Sequence, residues 1–392
     1  MTPRSRTTAD ERAAEAGRKR WRRAVVKVGT QLISGTTDTL DDRLLGDLAR
    51  QVAELRKRGV EVLLVTSGAV AAGRAALGAR GIQLERRDVA YRQVLASVGQ
   101  SRLMGVYQRH FEEHGLTVSQ ALLSRGDLES RLRYLNIRNT LERLLALGVV
   151  PVVNENDVVA VEELDDEVFG DNDRLSAMVA NTVDAEVLVL LGEVEGLFSN
   201  DPNLDRTATL VREVDRIDET VEKIAGPPMG GRSRGGMASK VQAARIATAF
   251  GATVVIASGR EQDVLLRLYD GDSVGTKFPA SSTARESRKR WILTGVSSSR
   301  GGVAVDSGAV RALVERGHSL LPAGITDVEG GFGRGDIISI KGPDGRVLGW
   351  GLANYGSDDV GLLKGKRSEG RLTIVANDYG PEVVHRNNLA LA

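Results

Sequence analysis

Cysteine is absent from all 392 residues, which excludes disulfides, thiol nucleophiles and Cys-ligated zinc. Histidine is scarce: His110, His114, His318 and His385 are the whole set. His110 and His114 stand at helical i, i+4 spacing, but no third ligand accompanies them, so no protein metal site is expected. No apolar run approaches the ~20 residues of a membrane span, and residues 1–20 are polar and charged without a hydrophobic signal stretch. A soluble, cytoplasmic protein with no membrane partner is expected. An excess of charge of one sign is also missing. Lys plus Arg number 53 against 52 for Asp plus Glu, so no global field pulls the chain towards nucleic acid or anionic lipid. Two nucleotide signatures are lacking as well. No G-x-x-x-x-G-K-[ST] occurs, and Gly331-Phe332-Gly333-Arg334-Gly335 has the wrong spacing for a dinucleotide fingerprint.

What is present is alternation. Forty-one per cent apolar residues allow sizeable cores, and the length suggests about two to three domains. Residues 1–22 read as a disordered or weakly helical tail. Strands are then expected at 24–28, 60–65, within 115–123, near 149–153, at 187–191 and at 253–257. Helical spacing at Leu44, Leu45, Leu48, Val52 and Leu55, an Ala-rich helix from 69 to about Gly73, and a helix at 141–147 separate them. Strand, helix, strand in this order predicts parallel βαβ units and helices on both sheet faces. The fold class is therefore α/β. The short polar stretch 279–290 reads as a linker. Beyond it come Gly-rich β-like pieces at 292–293, 302–305, 336–340 and 346–351 with one helix at 307–316, a small β-rich second domain without sequence repeat of the first.

Two polar clusters bracket one segment. Asn154, Glu155, Asn156 and Asp157 follow the apolar 149–153 run, and Gly170-Asp171-Asn172-Asp173 precedes a helix beginning near Leu175. Asx and Gly are common turn residues in their own right; two such clusters bracketing one segment point instead to a crevice at the edge of an α/β sheet. Lys27 beside Gly29-Thr30, Ser67-Gly68-Ala69 at a helix start, and the Gly-rich stretch 229–240 ending in Ser239-Lys240 combine cations with backbone N–H donors. That combination suits polyphosphate. A carboxylate acceptor is already ionised at neutral pH and needs no general base, which fits a lysine-rich site without histidine better than an alcohol would.

The motifs VVKVGT, VTSGAVAAG, NENDVV, FGDNDRLSA and RGGMASK, in this order, resemble the amino acid kinase family, and within it the enzymes that phosphorylate the γ-carboxylate of L-glutamate. RKRWI, SGAVRALVERGHSLLPAGI and GFGRGDIISI resemble the PUA domain that many of them carry. The resemblance implies a three-layer αβα sandwich with a mainly parallel central sheet over 23–278, a PUA domain over 291–375 and a C-terminal extension over 376–392. It also implies ATP as phosphoryl donor with Mg²⁺ accompanying it, a homo-oligomer (dimer or tetramer), and feedback inhibition by proline. Carried over by position, Lys27, Lys240 and Asp173 are the catalytic residues, and Ser67, Asp157 and Asn172 hold glutamate. Lys27, Gly29, Gly68, Gly192, Glu193, Arg234, Gly235, Gly236, Met237, Ala238, Ser239 and Lys240 serve ATP, with Gly29 and Gly68 offering backbone N–H groups. This chain has Gly192-Glu193 where such enzymes often have Thr-Asp, and Arg234 where Thr or Ser is usual. Because PUA domains commonly bind RNA, an RNA-binding protein with a redundant kinase fold is the alternative, served by the basic runs 288–290 and 364–367; no domain is strongly basic overall.

Overall fold

The computed structural model describes residues 21–34, 39–82, 89–159, 172–202, 204–226, 236–283, 286, 289, 292–293, 301–366 and 374–391. The first sheet has seven strands: β1 Arg23–Val28, β2 Glu61–Val65, β3 Val118–Leu123, β4 Val150–Glu155, β5 Val187–Gly192, β6 Thr253–Ser258 and β7 Thr276–Phe278. Their order is β3-β4-β2-β1-β5-β6-β7. All neighbours are parallel except β6 and β7, so the sheet is mainly parallel, as expected. After β1 the chain moves to one side of it (β2, β4, β3) and then to the other (β5, β6, β7). The crevice above the carboxyl ends of β1, β2 and β5 is thus a switch point, the place where open α/β sheets bind ligands.

Side chains alternate across a strand, and β1 shows what that does. Ala24, Val26 and Val28 join one core, with Leu45 and Leu48 of the Asp42–Lys57 helix and Leu103 and Tyr107 of the Val89–Glu112 helix. Val25 faces the other core, with Ala177 and Ala180 of the Asn172–Thr182 helix and Val241 and Ala244 of the Met237–Ala249 helix. Lys27 is two residues from Val25 and therefore lies on the second face. Its ammonium is carried to the N-terminal ends of those two helices.

The Ala-rich helix runs over Ala69–Gly78, past its expected end at Gly73. Gly73 continues the helix because another backbone needs the space. A Cβ there would lie 1.9 Å from the Leu95 carbonyl oxygen, and one at Gly99 would lie 1.8 Å from that of Ala69. Helices Ala69–Gly78 and Val89–Glu112 cross backbone to backbone at these two glycines.

The second domain has its own sheet, β12-β11-β10-β8-β9, built from β8 Gly301–Val305, β9 Ile325–Gly330, β10 Ile337–Lys341, β11 Val347–Leu352 and β12 Leu389–Leu391. Ile292 and Leu293 are helical rather than extended, and a second helix, Ser357–Leu363, joins the expected one, seen at Ser307–Val314. The segment expected as a C-terminal extension supplies β12, which pairs antiparallel with β11, so it completes the sheet instead of trailing from it. Leu135 from the Arg131–Ala146 helix packs with Ile292, Ile337, Leu352 and Ala390 in one buried cluster that joins the domains. Asp184 marks the same seam: it receives Arg138 at 2.7 Å and the Asn387 amide at 3.0 Å on one oxygen.

Candidate active site

Asp173, the second residue of the Asn172–Thr182 helix, is fully buried. Its Oδ1 forms an ion pair with Lys27 Nζ, and its Oδ2 receives Lys240 Nζ at 3.2 Å and Ser239 Oγ at 2.8 Å. Both lysines are buried too, at 3% and 5% exposure. A buried charge is tolerated only when paired and hydrogen-bonded, and this centre meets that condition with two cations to one anion. Burial pushes the Asp173 carboxyl up, but the ammonium groups of Lys27 and Lys240 outweigh it and hold it at about 2. Because the folded value lies below the ordinary one, the stabilisation from this pairing is complete above the ordinary carboxylate range and is lost only as pH falls towards 2. At neutral pH the triad is intact.

A second set of residues meets beside it. Asn172 Nδ2 donates to Ser67 Oγ at 2.9 Å and to Asn154 Oδ1 at 3.2 Å. Ser67 follows β2, Asn154 is in β4, and Asn172 opens its helix, so three carboxyl-edge segments converge there. Gly68 caps the Ala69–Gly78 helix at φ +97°, and a Cβ would press to 3.3 Å from Ile33 Cγ2; the turn therefore requires glycine. Asp157 lies two residues beyond β4 and pairs with Arg92 at 3.3 Å. It is largely buried, not a surface carboxylate.

On the nucleotide side the expectations divide. Gly236 caps the Met237–Ala249 helix, and Met237, Ala238, Ser239 and Lys240 form its first turn, so the helix end and its lysine are placed together. Gly192 ends β5, and a Cβ there would reach 3.3 Å from Lys240 Cε; the missing side chain makes room for that lysine. Glu193 is held by Arg260 through two bonds of 2.9 and 3.0 Å. Gly29 requires a correction. Its N–H donates to the Leu191 carbonyl at 3.1 Å, continuing the β1–β5 ladder, so it is taken up by the sheet and does not offer itself to phosphate. What the position provides is space near Lys27 Nζ, 3.8 Å from where a Cβ would stand. Arg234 and Gly235, like Gly170 and Asp171, lie outside the described residues. A cleft of about 560 Å³ runs between the Glu219–Ile224 helix and the first turns of the Met237–Ala249 helix, with Lys223, Ala238 and Gln242 among its walls. It is lined by Ala238, Val241 and Gln242 on one face of that helix, and it has the size of a small-molecule site.

Sequence reasoning missed Gln100. It sits in the middle of the Val89–Glu112 helix, is 9% exposed, and accepts from Asn154 Nδ2 at 2.7 Å. A single glutamine in a helical stretch carries no motif; only the helix crossing at Gly99 brings it to the crevice.

A buried lysine pair clamping one aspartate, on a switch point of a mainly parallel sheet and beside an amide cluster, is the kind of arrangement that phosphoryl transfer needs. Residues 22–258 match the model of the amino acid kinase family and residues 301–370 that of the PUA domain. The chain belongs to the amino acid kinase family. The curated relatives it resembles are glutamate 5-kinases: that of Dehalococcoides mccartyi (strain ATCC BAA-2266 / KCTC 15142 / 195) is 47% identical over 95% of this chain and 98% of its own length. That of Herpetosiphon aurantiacus is 48% identical over 94% and 97%. Among solved structures, a UMP kinase from Bacillus anthracis aligns with a TM-score of 0.46 and 15% identity over 67% of this chain and 97% of its own, a likeness too distant to carry weight. Among the described residues no helix is long and apolar enough to cross a membrane.

Proposed function

We propose that this chain is a glutamate 5-kinase, transferring the γ-phosphoryl group of ATP to the γ-carboxylate of L-glutamate to give L-glutamyl 5-phosphate, the first step towards proline. The observation that carries the reading is the clamp of Asp173 between Lys27 and Lys240, immediately beside Asn172, Ser67 and Asn154. Phosphoryl transfer is positional and electrostatic. The two ammonium groups steady the charge on the transferring phosphoryl oxygens, and Asp173 fixes their spacing. Asn172, Ser67 and Asp157 hold the amino acid, with its ionised carboxylate as nucleophile and no base required. The cleft beside Ala238 takes the nucleotide. Mg²⁺ supplies further charge neutralisation when it arrives with ATP. Asp173 is already paired with both lysines, so its carboxylate serves to hold them.

Every strand of the first sheet and every residue just named lies before 279, so the chemistry belongs to the first domain. The second serves assembly or regulation, and the protein works in the cytoplasm as a homo-oligomer open to inhibition by proline, which shares an α-amino acid head with glutamate. RNA contact is the lesser reading. Lys364 of the basic run is paired with Asp327 at 3.3 Å, and Arg334 of the Gly-rich loop donates to Asn136 in the first domain and stacks 3.8 Å over Tyr379.

The test is ATP-dependent hydroxamate formation, since hydroxylamine traps acyl phosphates. L-glutamate is expected to react at least tenfold faster than L-aspartate or N-acetyl-L-glutamate, because a substrate that strands one buried polar group costs about 1–3 kcal/mol. Equal rates with aspartate would rule the assignment out.

A further inference from the structure

Two polar atoms at the crevice have no hydrogen-bond partner among the described residues: Gln100 Nε2 and Asn172 Oδ1. They are the two ends of a single amide chain. Gln100 Oε1 accepts from Asn154 Nδ2, and Asn154 Oδ1 accepts from Asn172 Nδ2. Amide orientation is ordinarily ambiguous, but here a backbone group decides it. The Glu155 N–H donates to Asn154 Oδ1 at 2.9 Å, and a backbone N–H can only donate. Asn154 must therefore turn its NH₂ to Gln100, which must answer with its oxygen; Asn172 must likewise answer with its NH₂. The atoms left over are fixed in kind: a donor on Gln100 and an acceptor on Asn172.

A buried amide left half-satisfied is unfavourable unless something else completes it. Gln100 is 91% buried, taking its 9% exposure, and it adjoins Gly99, where its helix touches Ala69 just past Ser67 and Gly68. A ligand that completes both ends must accept from Gln100 and donate to Asn172. An α-amino acid head does so with one carboxylate and one ammonium group.

Building on the glutamate reading, we propose that Gln100 is a specificity-determining residue that recognises the α-carboxylate of the substrate, while Asn172 Oδ1 takes its ammonium group. The chain Gln100–Asn154–Asn172 reads the zwitterionic head as a unit, and Asn154 keeps its two ends at the correct spacing. This selects a free α-amino acid and rejects one whose α-carboxylate is masked.

The experiment compares hydroxamate formation from L-glutamate with that from L-isoglutamine, the α-carboxamide whose γ-carboxylate is free. The wild-type enzyme is expected to favour L-glutamate by at least tenfold in kcat/KM. Gln100→Glu keeps the acceptor for Asn154 Nδ2 but sets an oxygen against the α-carboxylate, where it can instead accept from an α-carboxamide. Its preference should fall about 100-fold, through KM, with kcat changed only a few-fold. Gln100→Met serves if the glutamate variant does not fold, and its preference should collapse towards unity, since the donor is gone. A wild-type ratio retained in either folded variant overturns the assignment of Gln100 alone. No hydroxamate from wild-type enzyme and L-glutamate overturns the glutamate reading, and this proposal with it.

Discussion

Lys27→Ala and Lys240→Ala each lower kcat for acyl-phosphate formation by at least about two orders of magnitude, with KM for glutamate changed much less. Both ammonium groups sit on one buried carboxylate, so neither can be replaced by solvent when its side chain is removed. Their charge counts most as phosphoryl oxygens gain charge in the transition state, which is why the loss falls on kcat. Asp157→Ala, at a residue proposed to hold the amino acid, is expected to raise KM instead. Steady-state kinetics of the three variants, with folding checked by circular dichroism, separates the two signatures. If all three shifted kcat and KM alike, the division between phosphoryl-steadying and substrate-holding residues would fail. Both lysine variants also leave Asp173 with one cation in place of two, so a lower unfolding midpoint accompanies the kinetic loss.

The second large effect concerns packing. Gly99→Ala inserts a Cβ 1.8 Å from the Ala69 carbonyl oxygen and 2.4 Å from the Gly73 amide nitrogen, so two helix backbones must part. Overpacking of this kind costs about 1–3 kcal/mol and occasionally more, against a helix-propensity gain of about 1 kcal/mol. A valine at 99 adds two methyl groups to the same clash and no such gain. Gly105 lies on the same helix, exposed, with nothing within 4 Å of a Cβ, so Gly105→Ala should stabilise by roughly 0.5–1 kcal/mol. Urea unfolding of the pair is the check, with Gly99→Val showing the largest loss. Equal stabilities for Gly99→Ala and Gly105→Ala would mean that the helices can separate at little cost. Because Ser67 and Gly68 lead into one of these helices and Gln100 rides on the other, Gly99→Ala should disturb the amino acid site as well as the fold.

Much of this arrangement is legible in the residues, for reasons that also mark the limits. The strands of the buried parallel sheet are continuous apolar runs ending in turn formers, so β1, β2, β4, β5 and β6 and the polar residues at their carboxyl ends stand out. Asp173 announces itself through the Gly-Asp-Asn-Asp turn, and Lys27 through its place near the end of an apolar strand beside Gly29-Thr30. Short elements with little apolar content do not stand out: β7 and β12 have three residues each, and β9, Ile-Thr-Asp-Val-Glu-Gly, is half polar. They are strands because a neighbour offers a ladder, and that is tertiary information. The same limit hid Gln100, whose role comes from a helix crossing, and misplaced Gly73, whose local preference for ending a helix is overridden by the helix packed on it. The chain neighbours of Gly29 suggest an N–H that donates to phosphate, whereas the adjacency of β5 commits that N–H to Leu191.

The central claim is that the γ-carboxylate of glutamate attacks phosphorus at the Lys27–Asp173–Lys240 centre. It is tested most directly by supplying L-glutamate labelled with ¹⁸O at both γ-carboxylate oxygens, together with ATP and hydroxylamine, and weighing the inorganic phosphate released. Hydroxylamine cleaves the acyl carbon–oxygen bond, so the oxygen that formed the new bond to phosphorus leaves with the phosphate. Each phosphate should carry one ¹⁸O, and Lys240→Ala should slow its appearance by the factor that it slows kcat. Phosphate released without the label would contradict direct transfer to the carboxylate.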